Sequence, residues 1–431
     1  MKKYYQAALA LTAALSLIAL LFYRHEYNKL RFVLQVFNYF GSPSRNPSNE
    51  TCLLADKLQR DFSEPSSTWQ RLTDNLHVFS AYHVNDEVRV IAFGSTSYLK
   101  TNPITCSILT NPESPRKVTG NFSFEITSED DTLDLAYIGD EKFYGLILVC
   151  RSLGISSHDK ITGVQLLDAG NTRKSTIKVR NISENDGKND SVVCVAPTPA
   201  KNAFIGKRMD LVTFVAFHRN IGLGNFIVYD SGISDTFNSG MKSLSRVLNM
   251  NFTYSTVSWN FPYDVEPRVI RHLVEVDCLY RGLGRAGLAL TLAWNEYVNL
   301  KYHSTMASVV LDFNKVSGGD NPRGPFGMRT FAFCMEGPGE YLNFSTPMIL
   351  STTKRVRGEG SKEERRVYQL GDDEPFGKGR ARKKLDDLIG IYRYELCEGE
   401  DVVQNQLLRF AENTPGSNIF QYYLTGRLFG D

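Results

Sequence analysis

The six residues Leu288–Ala293, Leu-Ala-Leu-Thr-Leu-Ala, constrain this chain more than any other stretch. They are almost wholly apolar, bounded by Gly287, and too short for a helix of ordinary length. They therefore read as a strand buried on both faces, as in a parallel sheet. Asn295 and Glu296 follow at once. In open α/β sheets ligands lie beyond the carboxyl ends of the strands, so these two polar residues are where the search for a site begins. A structural reading stands beside it, in which Trp294 and Tyr297 cap the core and Glu296 is solvated.

The sequence around this strand alternates. Ser191–Pro197 and Asn225–Asp230 read as strands, with helical content between them at Lys207–Asn220, where Arg208, Asp210, Thr213, His218 and Arg219 are polar. Asp235 can cap a helix running to Asn249, Phe252–Trp259 reads as a third strand, and Val265–Arg281 as a helix leading into Leu288–Ala293. Alternation of this kind predicts a doubly wound, mostly parallel sheet. Gly282, Gly284 and Gly287 spell GxGxxG, but that fingerprint needs a strand before it and a helix after it. Here the order is reversed, so the glycines mark a turn. The chain has no GxxxxGK[ST], HExxH or GxSxG pattern, which removes phosphate-loop, zinc-protease and α/β-hydrolase chemistry.

Upstream, Leu76–Val84, Val88–Gly94 and Phe143–Gly154 read as strands, with Gly-Asn-Phe-Ser-Phe-Glu-Ile-Thr between them. Their spacing predicts an antiparallel β module over residues 75–180. The polar break Asn181–Asp190 separates it from a second domain at 190–425. Residues 24–74 carry Pro43, Pro47 and Pro65 and read as a stem, with one periodic run at Arg31–Phe40. The charge-dense segment from Lys354 to Lys384 reads as a solvated loop, with a mobile lid as the functional alternative, and Val402–Thr414 as a closing helix.

A chain of 431 residues exceeds one typical core, which fits two domains and an extension. Ala7–Tyr23 is uncharged and, at about 17 residues, at the lower limit for crossing a bilayer. It ends in Leu20, Leu21, Phe22 and Tyr23 rather than in a small-residue cleavage site, which predicts an uncleaved signal anchor behind a cytosolic tail at 1–6. Basic residues flank it on both sides, so the orientation comes from elsewhere. Glycosylation triplets begin at Asn49, Asn121, Asn181, Asn189, Asn251 and Asn343, and their spread predicts a lumenal body and a single-pass type II protein. The seven cysteines are widely spaced, without CxxC pairs, which favours disulfides over zinc and leaves their connectivity open. A net charge of +2 gives no reason to expect a nucleic-acid partner.

Five separated blocks resemble one family. They are Cys194–Pro197, Arg208–Gly232, Val257–Pro262, Val276–Arg281 and Thr291–Val298, which in order and spacing look like the domain of the family 92 glycosyltransferases over roughly residues 190 to 410. Phe79–His83 also resembles the region upstream of that domain. The resemblance implies a GT-A fold, a UDP-sugar donor (UDP-galactose in the better-known members), Mn²⁺, and transfer of a galactosyl group with inversion to a glycan or glycoprotein acceptor in the Golgi. In such chemistry a cation held by carboxylates offsets charge building on the departing diphosphate, and another carboxylate accepts the acceptor's proton.

The chain departs from the family where that chemistry is carried out. The family's Asp-x-Asp-Glu aligns with Ala293, Trp294, Asn295 and Glu296, so only the glutamate survives as a charged donor, and Mn²⁺ favours charged oxygens. A His that precedes Tyr-Arg in the family is Ile391 here, before Tyr392 and Arg393. Glu296 is the candidate base or residual metal ligand, and Asp277 is catalytic, capping or structural. Asp230 faces a ligand or simply forms a turn, Asn295 lies at the same strand end, and Arg393 binds diphosphate or pairs at the surface. His218 reads as a packing residue. The expectation is a membrane glycosyltransferase; the alternative is a silent paralogue that binds a glycan or a partner protein.

Overall fold

The computed structural model describes residues between Pro65 and Leu424, apart from 111–115, 129–134, 153, 156–158, 169–173, 183–190, 198–207, 248–251, 317–324, 336–348, 350–353, 357–360, 371–382, 385–388, 397–401 and 405–409. All of them belong to one compact unit, Arg60–Asp431; the other unit, Met1–Gln59, lies outside the described residues.

The first nine strands are β1 (Gln70–Thr73), β2 (Leu76–Val84), β3 (Glu87–Ser95), β4 (Ile104–Thr110), β5 (Arg116–Ile126), β6 (Ala136–Ile138), β7 (Glu141–Arg151), β8 (Ile161–Asp168) and β9 (Lys174–Asn181), with helix α1 (Thr96–Thr101) between β3 and β4. Seven of them close into a barrel in the order β2-β3-β7-β5-β4-β8-β9, and β9 returns to β2. Each step from β2 round to β9 is antiparallel. Six reversals bring β9 back in the direction of β2, so the closing pair is necessarily parallel, as Ala81–His83 against Val179–Asn181 show. Closure removes the open edges that a flat sheet of this size would present. Gln70–Thr73, expected in a stem, pairs with β2.

Alternating side chains from these strands fill the barrel, among them Val78, Val90, Ile108, Leu148, Val164 and Ile177. A disulfide between Cys106 and Cys150 crosses the interior from β4 to β7. Gly120 lies on β5 between them, and a Cβ there would stand 2.5 Å from the Cys150 sulfur. Glycine is the residue that leaves room for the bridge.

β2, β3 and β7 are buried on both faces, which is why their sequences are apolar nearly throughout. Their outer faces pack on helix α4 (Pro267–Gly282) and the segment after β12: Phe79, Phe93 and Phe143 join Trp69, Trp259 and Val269, while Tyr82, Ile91 and Ile147 meet Val276, Tyr280 and Leu283.

The second sheet begins as the alternation predicts, through β10 (Ser191–Val195), α2 (Arg208–Asn220), β11 (Asn225–Asp230), α3 (Asp235–Val247), β12 (Thr253–Ser258), α4 and β13 (Leu288–Leu292). These four strands are parallel, in the order β12-β11-β10-β13. Gly284, between α4 and β13, adopts φ +71° in a turn. A second disulfide, Cys194–Cys278, ties β10 to α4.

The chain then departs from the doubly wound, mostly parallel GT-A-like plan. The remaining strands are β14 (Glu296–Leu300), β15 (Phe326–Met335), β16 (Lys354–Val356), β17 (Ser361–Gln369), β18 (Lys383–Lys384), β19 (Ile389–Leu396) and β20 (Val402–Gln404), with helices α5 (Met306–Val316) and α6 (Asn418–Leu424). β17 joins β13 antiparallel, β15 follows antiparallel, and β14 pairs antiparallel with β19. The fold is therefore mostly β, a barrel joined to a mixed sheet, and the doubly wound α/β expectation is corrected. The physical cause lies at Ala293–Asn295, where a tight turn replaces a crossover helix: the Glu296 amide donates to the Ala293 carbonyl at 3.0 Å and the chain re-enters a strand. Val402–Gln404, expected in a helix, pairs with β16, and much of the expected loop after Lys354 is strand.

The expectation of a transmembrane signal anchor and a single-pass type II Golgi membrane protein is corrected too. Among the described residues no helix is long and apolar enough to cross a membrane, and Ala7–Tyr23 lies outside them, as does Arg31–Phe40.

Candidate functional site

Glu296 is the first residue of β14 and is fully buried. Its carboxylate is occupied on both oxygens. Oε2 accepts the Ala293 backbone N–H at 2.9 Å and Arg271 Nη1 at 2.6 Å. Oε1 accepts Arg271 Nη2 at 3.1 Å, and Arg365 Nε and Nη2 at 3.0 and 2.7 Å. Arg271 comes from α4 and Arg365 from β17, so three elements remote in sequence converge at the end of β13. Burial alone would raise the carboxyl's pKa; the two guanidiniums outweigh it and hold the group well below the usual carboxylate range. A carboxylate so held is a poor proton acceptor, and it has no oxygen turned toward a ligand. Burial of the charge is tolerated because it is paired and bonded on both sides.

Neighbouring candidates are engaged within the fold as well. The Asn295 side-chain amide donates to the Tyr394 carbonyl at 2.8 Å and the Asn295 carbonyl accepts the Tyr394 N–H at 2.9 Å, which fastens the turn to β19. Ala293 offers no donor. Among the described residues no group of three or more His, Cys, Asp or Glu side chains could hold a metal ion. The donor set here, one saturated carboxylate and one amide turned to the backbone, does not fit Mn²⁺. Arg393 stands opposite Glu296 in register but its guanidinium pairs with Glu395, Nε to Oε2 at 2.9 Å.

Asp230, at the end of β11, takes the turn role. Its Oδ1 accepts the Gly232 and Ile233 amides at 2.9 and 2.7 Å, and Oδ2 accepts Asn238 Nδ2 at 2.6 Å, which anchors the entry to α3. Gly232 sits at φ +133°, a conformation that favours glycine.

Asp277 lies elsewhere, fully buried between barrel and sheet. Oδ1 accepts the hydroxyls of Ser80 and, at 2.6 Å, Tyr82 from β2; Oδ2 accepts Tyr229 from β11 at 2.6 Å and Arg281 Nε at 2.5 Å. Arg281 continues the network to the Pro65 carbonyl at 3.0 Å and the Ser67 hydroxyl at 2.7 Å. Arg180 of β9 donates to the carbonyls of Tyr280, Arg281 and Leu283 at 3.0, 2.6 and 2.9 Å, a cation at the carboxyl end of α4 where the helix dipole favours it. Asp277 is a structural hub and touches no open surface.

His218 is fully buried in α2, its ring stacked on Tyr297 at 5.5 Å. Nδ1 meets the Phe214 carbonyl at 2.8 Å, and Nε2 accepts the Val298 amide at 3.4 Å, which assigns the proton to Nδ1. Burial pushes its pKa down to about 3, so the ring is neutral. Trp294 packs edge-on to Phe214 and Phe237 in the core. Of the glycosylation triplets, Asn121 is exposed on β5, and Asn181 is exposed at the end of β9, its amide donating to the Ile161 carbonyl at 2.8 Å. Asn49, Asn189, Asn251 and Asn343 lie outside the described residues.

Sequence reasoning missed Arg271 and Arg365. Arg365 sat within a charge-dense stretch assigned to solvent; the alternation toward Val367 in Glu-Arg-Arg-Val-Tyr was the available signal that it faces inward.

No family model matches the chain, and no curated protein matches it. Among solved structures it is similar to a purple acid phosphatase from yellow lupin (Lupinus luteus) seeds, at 11% identity and a TM-score of 0.19, over 43% of this chain and 33% of that enzyme. The match spans about a third of the phosphatase and bears on neither fold nor chemistry.

Proposed function

We propose that the chain is a catalytically silent relative of the family 92 glycosyltransferases that works by binding, with a glycan the ligand the resemblance implies. The single observation carrying this reading is the state of Glu296. The glutamate left from the family's Asp-x-Asp-Glu pattern is buried, and both its oxygens are bonded by Arg271, Arg365 and the Ala293 amide. A general base must reach the proton it removes and keep an oxygen available for it. Asp277 is saturated by Ser80, Tyr82, Tyr229 and Arg281, and Asp230 by its own turn, so neither takes over that role.

The test is release of UDP from UDP-galactose by the full chain with Mn²⁺ and a panel of oligosaccharide acceptors, alongside binding of the same oligosaccharides. Glycan binding without UDP release supports the reading. UDP release that disappears in Glu296→Gln overturns it.

A further inference from the structure

β5 carries a motif that neither the ion clusters nor the barrel core uses. Asn121, Phe122 and Ser123 form an Asn-x-Ser acceptor triplet for N-linked sugar. The strand alternates along its middle: Val118, Gly120, Phe122 and Phe124 are half-buried, while Thr119, Asn121, Ser123 and Glu125 are exposed. Phe122 and Phe124 pack against the barrel core, so the two-residue period puts Asn121 and Ser123 together on the outer face. The barrel packs on α4 through the outer faces of β2, β3 and β7, and β5 stands beyond them in the ring. Among the described residues the Asn121 side chain makes no hydrogen bond. Its register partner on β7, Arg151, turns its guanidinium to Glu87 at 2.6 Å, which leaves the Asn121 amide open.

We propose that Asn121 carries an N-linked oligosaccharide on the outer wall of the barrel, and that the triplet beginning at Asn181 stays bare. In the transfer the Asn121 amide nitrogen displaces the diphosphate of a lipid-linked oligosaccharide. A C–N bond forms at the anomeric carbon, the C–O bond to phosphate breaks, the lipid diphosphate leaves and the amide gives up one proton. Transfer takes place on the extended chain, so the fold must leave room for a bulky, solvated product. Asn121 does so, with a polar neighbourhood of Thr119 and Ser123 and no bond to surrender. Asn181 does not: its amide nitrogen, the atom that would take the sugar, donates to the Ile161 carbonyl at 2.8 Å, beside the contact with His83 that closes the ring. The two disulfides fit the same history, since both they and this transfer belong to an oxidising compartment. The site is independent of Glu296 and of what the chain binds.

The experiment is peptide mass spectrometry of the full chain produced in a eukaryotic cell that N-glycosylates its secreted proteins. Enzymatic removal of the sugar in heavy-oxygen water converts each asparagine that carried one to a labelled aspartate. The expected result is a labelled residue 121 and an unlabelled Asn181. In a gel the Asn121→Gln chain should run one oligosaccharide lighter than the native chain, and Asn181→Gln should run with it. An unlabelled Asn121, whether the site is skipped or the chain never meets the transferring enzyme, overturns the proposal. Equal labelling at the two positions overturns it as well, because the hydrogen bond of Asn181 would then select nothing. The label is read on the native sequence, so a variant that fails to fold leaves the test intact.

Discussion

Arg365 places two nitrogens, Nε and Nη2, on one oxygen of Glu296, at 3.0 and 2.7 Å, across a sequence separation of 69 residues. The contact binds β17 to the turn after β13, and with Arg271 it encloses the carboxylate completely. Replacing Glu296 with Gln leaves the buried guanidinium of Arg365 and the half-buried one of Arg271 without this carboxylate, and breaking a buried pair in this way costs about 3–5 kcal/mol. Chemical denaturation at neutral pH measures that loss. A change below about 1 kcal/mol would show that the cluster is solvated.

The same cluster sets a pH dependence. The folded-state pKa of Glu296 is depressed below the ordinary glutamate value of about 4.3, so its contribution is fully present above that pH and is lost as pH falls toward the folded value. The acid limb of stability below about pH 4.3 should therefore be shallower in Glu296→Gln than in the native chain. Parallel limbs would contradict the assignment.

His218 acts over a higher window. Its folded pKa of about 3 lies below the unfolded value of about 6.5, so the stability of the neutral ring is intact above pH 6.5 and declines as pH falls toward 3. Denaturation midpoints at pH 7, 5.5 and 4.5 should fall progressively, and more slowly in His218→Gln. An equal decline in both would remove His218 from the account.

Asp277 holds barrel and sheet together through Tyr82 on one side and Tyr229 on the other. Each Tyr→Phe change removes a hydrogen bond to a charged group, worth about 1.5–3 kcal/mol. Because both bonds end on one carboxylate, the double variant should not equal the sum of the singles. Strict additivity in denaturant titrations would show that the two contacts are independent.

Gly120→Ala tests the barrel. The added Cβ would meet the sulfurs of Cys150 and Cys106 at 2.5 and 3.0 Å. Overpacking of this kind costs about 1–3 kcal/mol. The disulfide closes a separation of 44 residues, which by chain entropy stabilises the fold by about 4 kcal/mol. Gly120→Ala should therefore lower the melting temperature, and a melting temperature equal to that of the native chain would contradict the packing described.

What could be read from the sequence was whatever is encoded locally. The run Leu288–Leu292 is a strand because five residues after a glycine, four of them apolar, cannot make a full helix, and of the GxGxxG glycines Gly284 lies in the turn that follows the helix ending at Gly282. Ring closure could not be read: it rests on Ala81–His83 meeting Val179–Asn181, and no periodicity records pairing over such a distance. The mixed character of the second sheet was hidden for the same reason, since whether a helix or a tight turn follows Leu292 depends on bonds from Glu296 and Tyr394 back to Ala293 and Asn295. Glu296 was found, but its role was set by Arg271 and Arg365, 25 and 69 residues away. Reading a carboxylate at a strand end as a base assumed that it was available.

The most direct measurement of that availability is titration of Mn²⁺ into the full chain with UDP present, followed by the electron paramagnetic resonance of the free ion. With Glu296 held by two arginines, the free-ion signal should match that of a protein-free Mn²⁺ and UDP mixture, for the native chain and for Glu296→Gln alike. Protein-bound Mn²⁺ that is lost in Glu296→Gln would show that the carboxylate opens to a metal, and would contradict the account at its centre.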